Sequence, residues 1–385
     1  MQQISDLLIK KIKKLGFKKY FLHEPDIESG DILNLKKCID TKNISASGDY
    51  HTKFEKLLSK MTKSKFVVST NSGTSALHIS CILSGIGPGD EVILPAFTFV
   101  APANSILYCG ATPHFVEIEK DFLGIDFDKL KNYLIKNTIK KGSSIYNKKT
   151  KRKIKAIIPV HPFGYPVDCE KMIKLAKDFN LTIIEDAADA LGSYYKNKHV
   201  GTFGKFGVLS FNGNKIITCG SGGAILTQSK KLALKARSLI NTSKVNHKFR
   251  FIHDDIGFNY RMSNINAAIG YSQLLRIKNI IGKKKKLFKY YQNNFLGNKY
   301  FDIIKEKKNL KFNYWLQTII LKKKYRNQTE KVINKIIKAN IFVRQGWDLM
   351  TDLKFLKKFP KMKIVVAKDV QKRIINIPSS SFLIK

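Results

Sequence analysis

Leu209-Ser210-Phe211-Asn212-Gly213-Asn214-Lys215-Ile216-Ile217-Thr218-Cys219-Gly220-Ser221-Gly222-Gly223 sets one lysine between an apolar run that ends in a hydroxyl and a cluster of glycines. The apolar run has strand character, and the glycines let the backbone turn sharply after the lysine. An amine presented in such a turn can attack an aldehyde, and Ser210 is near enough in sequence to hold a phosphate. On these residues alone, Lys215 reads more readily as one of many surface lysines than as a nucleophile.

Two further stretches have the same build, a short apolar strand followed by polar chemistry. Leu181-Thr182-Ile183-Ile184-Glu185-Asp186-Ala187-Ala188 puts the carboxylate of Asp186 at a strand tip. Pyridoxal phosphate, whose aldehyde a lysine can hold, needs such an acid beside its pyridine nitrogen, because the protonated ring is the better electron sink. Taken singly, an Asp after a strand also serves as a turn or capping residue. Thr70-Asn71-Ser72-Gly73-Thr74-Ser75-Ala76-Leu77 follows the strand-like 66–69 and opens a helical pattern. Free N–H groups and the positive end of a helix favour an anion there, although Ser, Thr and Gly also cap ordinary helices.

Outward from these stretches, strands alternate with helices. Residues 91–95, 111–117, 154–160 and 224–227 read as strands, and 76–83, 126–135, 168–179, 230–239 and 264–275 as helices. The alternation predicts an α/β fold whose large domain has a mainly parallel central sheet flanked by helices. A smaller C-terminal α/β domain follows, with strands at 314–321 and 341–343 and a helix at 330–339. The helix from Asn264 is expected to run on through 278–293 into that domain. The division is 1–20 for an N-terminal amphipathic helix, 21–280 for the large domain and 281–385 for the small one. The helix pattern at 4–18 is expected to dock on the rest of the protein, with attachment to a membrane surface as the alternative. Lys140 to Lys153 is polar and lacks an apolar period, so it reads as a solvated surface loop. Residues 43–48 are turn-rich.

Several pieces in this order carry a resemblance: Gly73-Thr74-Ser75-Ala76, Pro95-Ala96-Phe97-Thr98-Phe99-Val100-Ala101, Glu185-Asp186-Ala187-Ala188, Ser210-Phe211 before Lys215, and Gly257-Phe258-Asn259-Tyr260-Arg261-Met262-Ser263. From about residue 25 to 378 the chain resembles the sugar-nucleotide aminotransferases of the DegT group, in the fold-type I aspartate-aminotransferase superfamily. The resemblance implies pyridoxal 5'-phosphate as cofactor, with Lys215 and Asp186 as catalytic residues. It implies further cofactor contacts from Gly73, Thr74, Ser75 and Ser210 to the phosphate, from Phe99 to the ring face, and from Asp189 near the ring hydroxyl. Asn259 and Arg261 would reach the cofactor phosphate of a neighbouring subunit, which implies a homodimer with shared active sites. Relatives with histidine in place of the lysine dehydrate the sugar, so Lys215 favours transamination.

The implied reaction moves an amino group from glutamate to the C4 ketone of a nucleotide-linked 4-keto-6-deoxy sugar. Residues 22–25, 211–215 and Trp347 after Arg344 look like the branch that serves nonulosonic (legionaminic-type) acid synthesis, with UDP-2-acetamido-2,6-dideoxy-4-keto-hexose as acceptor. GDP-perosamine synthesis is the alternative. The chain departs from the group's common pattern at Asn43, where tryptophan is frequent, at Asp189, where many members have His or Gln, and at Ser221, where Glu is frequent.

Composition bears on the other classes. The formal charge of +41 raises a competing reading as a regulatory or nucleic-acid-binding protein. The lysines are diffuse, however, and their densest runs, 140–155 and 283–286, carry no helix-turn-helix or aromatic RNA-reading pattern. Five scattered cysteines without a Cys-x-x-Cys pair indicate neither a disulfide framework nor a metal site. The 4–18 pattern is too broken for a signal peptide and too short for a membrane span, so a cytoplasmic enzyme is expected. His161, at a strand end, is expected to order backbone and to have no catalytic role.

Overall fold

The computed structural model describes residues 2–46 and 48–384; Ser47, within the turn-rich 43–48 segment, lies outside the described residues, as do Met1 and Lys385 at the ends of the first and last expected domains. Helices α1 (Gln2–Lys13), α2 (Ser29–Asp40) and α3 (Tyr50–Thr62) precede the main sheet. Its strands are β1 (Phe66–Thr70), β2 (Asp90–Pro95), β3 (Thr112–Val116), β4 (Thr138–Lys141), β5 (Ser144–Asn147), β6 (Lys153–Ile157) and β7 (Thr182–Asp186). After two short strands, β8 (Tyr194–Tyr195) and β9 (Lys198–His199), come β10 (Phe206–Ser210) and β11 (Gly223–Thr227). The spatial order is β1-β11-β10-β7-β6-β2-β3.

Neighbours from β10 to β3 run parallel, and β11 runs antiparallel to both β1 and β10. The strands are apolar almost throughout, as both covered faces require, and Val92, Ile93, Leu94, Ile157, Ile184 and Val208 are fully buried. Because β1, β2, β7 and β10 point the same way, Thr70, Pro95, Asp186 and Ser210 all finish at one end of the sheet. The three polar stretches of the sequence therefore converge on that end, the usual ligand side of an open α/β sheet.

Residues 140–153 are not a loop. Strands β4 and β5 form a hairpin that joins β6, with Ile145 buried and Gly142 in the left-handed turn. The buried Glu91 carboxylate accepts from Asn147 at 3.0 Å and from the Thr150 hydroxyl, which pins the insertion to the sheet. The basic surface residues mask the apolar period that Ile139 and Ile145 contribute.

A second core surrounds a four-stranded sheet of Phe301–Ile303, Gln317–Leu321, Ile374–Ile377 and Arg344–Gln345. Helix α1 belongs to this core. Ile4, Leu8 and Ile12 have no exposed surface, so the apolar face that would meet a membrane is already covered. No helix of the described residues is long and apolar enough to cross a membrane. The expected strand at 341–343 is displaced to Arg344–Gln345, since Ile341 makes only an isolated bridge to Tyr20. The strand expected from Tyr314 starts at Gln317, because Tyr314 sits at φ 55° and cannot continue an extended chain. The helix from Asn264 ends at Leu275 and a new one, Ile277–Asn294, begins after Arg276, whose guanidinium is drawn to Asp26, Glu28 and Asp31. Within the Lys283–Lys286 run, Lys284 is fully buried and donates to the Ser379 carbonyl, so the run is not a uniform basic face.

Candidate functional site

At the strand ends lies a cavity of about 320 Å³, lined among others by Gly73, Thr74, Phe99, Asp186, Asp189, Ser210 and Lys215. Each arrives by local structure. Helix α4 (Gly73–Leu83) starts at the cavity, capped by Ser72, whose hydroxyl accepts from the Ser75 amide at 3.1 Å. Gly73 and Thr74 are thus left at the open end of the helix, where unsatisfied N–H groups favour an anion. Gly73 has no room for a side chain: a Cβ there would stand 2.9 Å from Cβ of Ser210. Ser75 lies at the same helix end, but its hydroxyl is bound to Asn71 at 2.6 Å and to Ser72 at 2.9 Å, and it does not line the cavity.

Asp186 ends β7 and is only 5% exposed. Its backbone is fixed on both sides, since its amide donates to Pro159 and its carbonyl accepts from the His161 amide. Burial, and then the neighbouring Asp189 carboxylate, push its pKa up to about 6, while the Ala188 amide, Lys215 and His161 pull the other way. A cation beside Asp186 would remove that cost. His161 is fully buried; its Nδ1 accepts from the Val167 amide at 3.1 Å, which leaves Nε2 to donate to Glu185 at 3.2 Å. Its contacts are thus with backbone and with a neighbouring carboxylate. Glu185 also accepts from the amides of Gly201, Phe203 and Gly204.

Lys215 projects from the turn after β10, its amide bonded to the Asn212 carbonyl. Its amine donates to Oδ1 of Asp189. Asp189 is held from the other side by the Phe163 amide at 3.2 Å. Phe163 sits at φ 55°, an uncommon conformation for a bulky residue, fully buried and stacked on Trp347 at 4.3 Å. The strained backbone thus aims an N–H at the carboxylate that receives the lysine. Asn259 and Arg261 do not line the cavity. Both are exposed, and Arg261 bonds the Ala46 carbonyl and Oδ1 of Asn241.

The structure brings to the cavity residues to which the sequence assigned no site role, Trp315 among them, although Thr98, Arg344 and Trp347 are part of the resemblance. Thr98 lines the cavity with a buried hydroxyl that has no partner among the described residues; its place next to Phe99 was the available signal. Trp315, buried in the main core, covers Lys215, and Arg344 and Trp347 line the same cavity. The donor set fits pyridoxal phosphate: an amine, a buried acid, a helix end for a phosphate, an exposed ring in Phe99 and an orphan hydroxyl in Thr98.

The family model of the DegT/DnrJ/EryC1/StrS aminotransferases matches residues 25–384. The chain is 34% identical to GDP-perosamine synthase of Escherichia coli O157:H7 over 359 residues, 93% of this chain and 92% of that one. It is 30% identical to UDP-4-amino-4,6-dideoxy-N-acetyl-beta-L-altrosamine transaminase of Campylobacter jejuni over 92% of this chain and 90% of that one. Helicobacter pylori PseC, an aminotransferase involved in the biosynthesis of pseudoaminic acid, superposes with a TM-score of 0.85 at 26% identity, covering 94% of each chain.

Proposed function

The chain belongs to the DegT/DnrJ/EryC1/StrS aminotransferase family and is a pyridoxal-phosphate-dependent sugar aminotransferase, and on that premise we propose that it transfers an amino group from glutamate to the C4 ketone of a nucleotide-linked 4-keto-6-deoxy sugar. The observation that carries this reading is the convergence of Lys215, Asp186 and the α4 end on one cavity.

Bound there, pyridoxal phosphate supplies an aldehyde that accepts an amino group and a ring that withdraws electrons from the carbon bearing it. The side chains do the rest. Lys215 would hold the aldehyde at rest, and its Nζ, once displaced, is placed to carry a proton between the donor's α-carbon and the carbon on the other side of the transferred nitrogen. Asp186 would pair with the ring nitrogen and keep it protonated. Asp189 holds the Lys215 amine and would face the ring hydroxyl. Gly73, Thr74 and Ser210 would hold the phosphate, with Ser75 fixing the loop, and Phe99 would meet the ring face. Trp315 and Trp347 exclude water from the opposite wall.

The acceptor read from the sequence is UDP-2-acetamido-2,6-dideoxy-4-keto-hexose, in a route to surface glycans or nonulosonic acids. A GDP-linked acceptor is the second reading, favoured by the 34% identity to GDP-perosamine synthase. The working unit in this proposal is a cytoplasmic homodimer. Asn259 and Arg261, away from their own cavity, serve the partner's phosphate site. Incubation with glutamate and a panel of UDP-, GDP- and CMP-linked 4-keto sugars, with mass detection of the product, tests the proposal. Amination of one class identifies the acceptor, and amination of none rejects the reaction.

A further inference from the structure

The five cysteines are all free, and Cys38, Cys81, Cys169 and Cys219 are buried. Cys109 alone is partly exposed. Although far apart in sequence, Cys109 and Cys81 stand together. Cys81 lies on α4 one helical turn after His78, so both side chains leave the same face of that helix. Helix α5 (Ala101–Tyr108) packs on α4 and is capped by Cys109 at its C-terminal end. The two helices meet through the rings of His78 and Tyr108, edge to face with centroids 5.5 Å apart. Next to that contact the Cys81 thiol donates to the Cys109 sulfur, and the His78 ring hydrogen-bonds the same sulfur. Nδ1 of His78 also lies 3.4 Å from the Tyr260 hydroxyl, which fixes the ring from outside the helix pair.

These contacts set the two sulfurs apart from the rest. The hydrogen bond from Cys81 holds the Cys109 thiol below the usual thiol range against its partial burial, and the His78 ring adds to that effect. Burial pushes the Cys38, Cys169 and Cys219 thiols the other way. One cysteine is therefore both reachable and activated, and a second sulfur is already in contact with it.

We propose that Cys109 is a peroxide-reactive thiol and that Cys81 resolves its oxidised form as a disulfide, a redox site separate from the cofactor cavity. The Cys109 sulfur attacks one oxygen of hydrogen peroxide, the O–O bond breaks, and water leaves with the thiol proton, which gives a sulfenic acid. The Cys81 sulfur then attacks that sulfur, the S–O bond breaks, and a second water carries away the Cys81 proton. The two sulfurs together lose two electrons, and the peroxide gains them. Neither cysteine lines the cavity, but Gly73 and Ala101, the first residues of α4 and α5, both do. The disulfide thus ties together the far ends of the two helices that start at the cavity.

The test treats the cofactor-loaded protein with hydrogen peroxide, alkylates the remaining thiols with iodoacetamide after denaturation, and maps the digest by mass. The expected product is one cross-linked peptide pair, Cys81 with Cys109, which a dithiol reductant returns to free peptides. Cys38, Cys169 and Cys219 should be alkylated as in untreated protein. Cys81→Ser, checked for wild-type visible absorbance, should stop at the sulfenic acid on Cys109, which dimedone traps. In Cys109→Ser, checked in the same way, oxidation of Cys81 should be slower than in wild type by about tenfold or more, because its thiol is buried and has lost the attacking partner. A wild type in which Cys109 is no more reactive than Cys38, Cys169 and Cys219, or is oxidised without a link to Cys81, would overturn the proposal. So would oxidation of Cys81 at the wild-type rate in Cys109→Ser.

Discussion

The Lys215 ammonium lies 4.4 Å from the centroid of the Trp315 ring, and the Trp315 indole N–H donates to the carbonyl of Asn214 at 2.6 Å. One ring thus covers the amine and grips the backbone one residue before it. Trp315 is itself held by Asn313, which accepts from the Trp315 amide and donates to the carbonyls of Asp189 and Leu191. The turn that presents Lys215 and the segment that carries Asp189 are in this way both tied to residues 313–315.

Trp315→Ala should keep the fold but loosen the amine, weakening cofactor uptake about tenfold by titration of the visible absorbance. Trp315→Phe keeps a ring face without the N–H and should lose less. Equal affinity in all three proteins would separate Trp315 from the site.

Asp186→Asn should raise the stability of the cofactor-free protein. The folded-state pKa of Asp186, about 6, exceeds its reference value of 3.8. The folded protein therefore binds this proton more tightly than the unfolded chain. The group's contribution is most favourable below pH 4 and worsens as pH rises to about 6, by up to about 3 kcal/mol for two units. Above that pH the cofactor-free asparagine variant should melt higher than wild type, with the gap closing toward pH 4. Its transamination should fall about a hundredfold or more, because an amide cannot pair with the protonated ring. A variant with near wild-type turnover would remove Asp186 from the mechanism.

Glu185→Gln is expected to lower stability by about 2–4 kcal/mol in a denaturant titration. The fully buried carboxylate accepts from three backbone amides and from His161, and an amide nitrogen would turn donor against donor. A loss below about 0.5 kcal/mol would mean that the loop at 201–204 is held by other contacts.

The main sheet and its site were legible because each polar stretch follows a short apolar strand, and a parallel sheet brings such strand ends to one side. Lys215, Asp186 and Gly73 could be read for that reason. Arg344 and Trp315 could not be placed at the cavity from the sequence, since their position depends on contacts between segments far apart in the chain, such as the Trp315 indole with the Asn214 carbonyl and Arg344 opposite Asn376, for which no local pattern exists. The β4–β5 hairpin was hidden by lysines on its outer face. The N-terminal helix was legible in its period, but its docking site on the second core was a matter of packing alone.

The +41 charge should act only on encounter with anions. Retention on DNA or RNA is expected at low salt and should vanish near physiological ionic strength, because each phosphate contact releases a counterion. Transamination should persist there. Sequence-selective binding at physiological salt without any keto-sugar amination would favour the regulatory reading.

The central claim is that Lys215 is the residue to which the cofactor attaches. Protein loaded with pyridoxal phosphate, reduced with borohydride and digested should yield a single peptide with the added cofactor mass, on Lys215, and Lys215→Ala should yield none. Modification at another lysine in place of Lys215, or none in the wild type, would contradict the account.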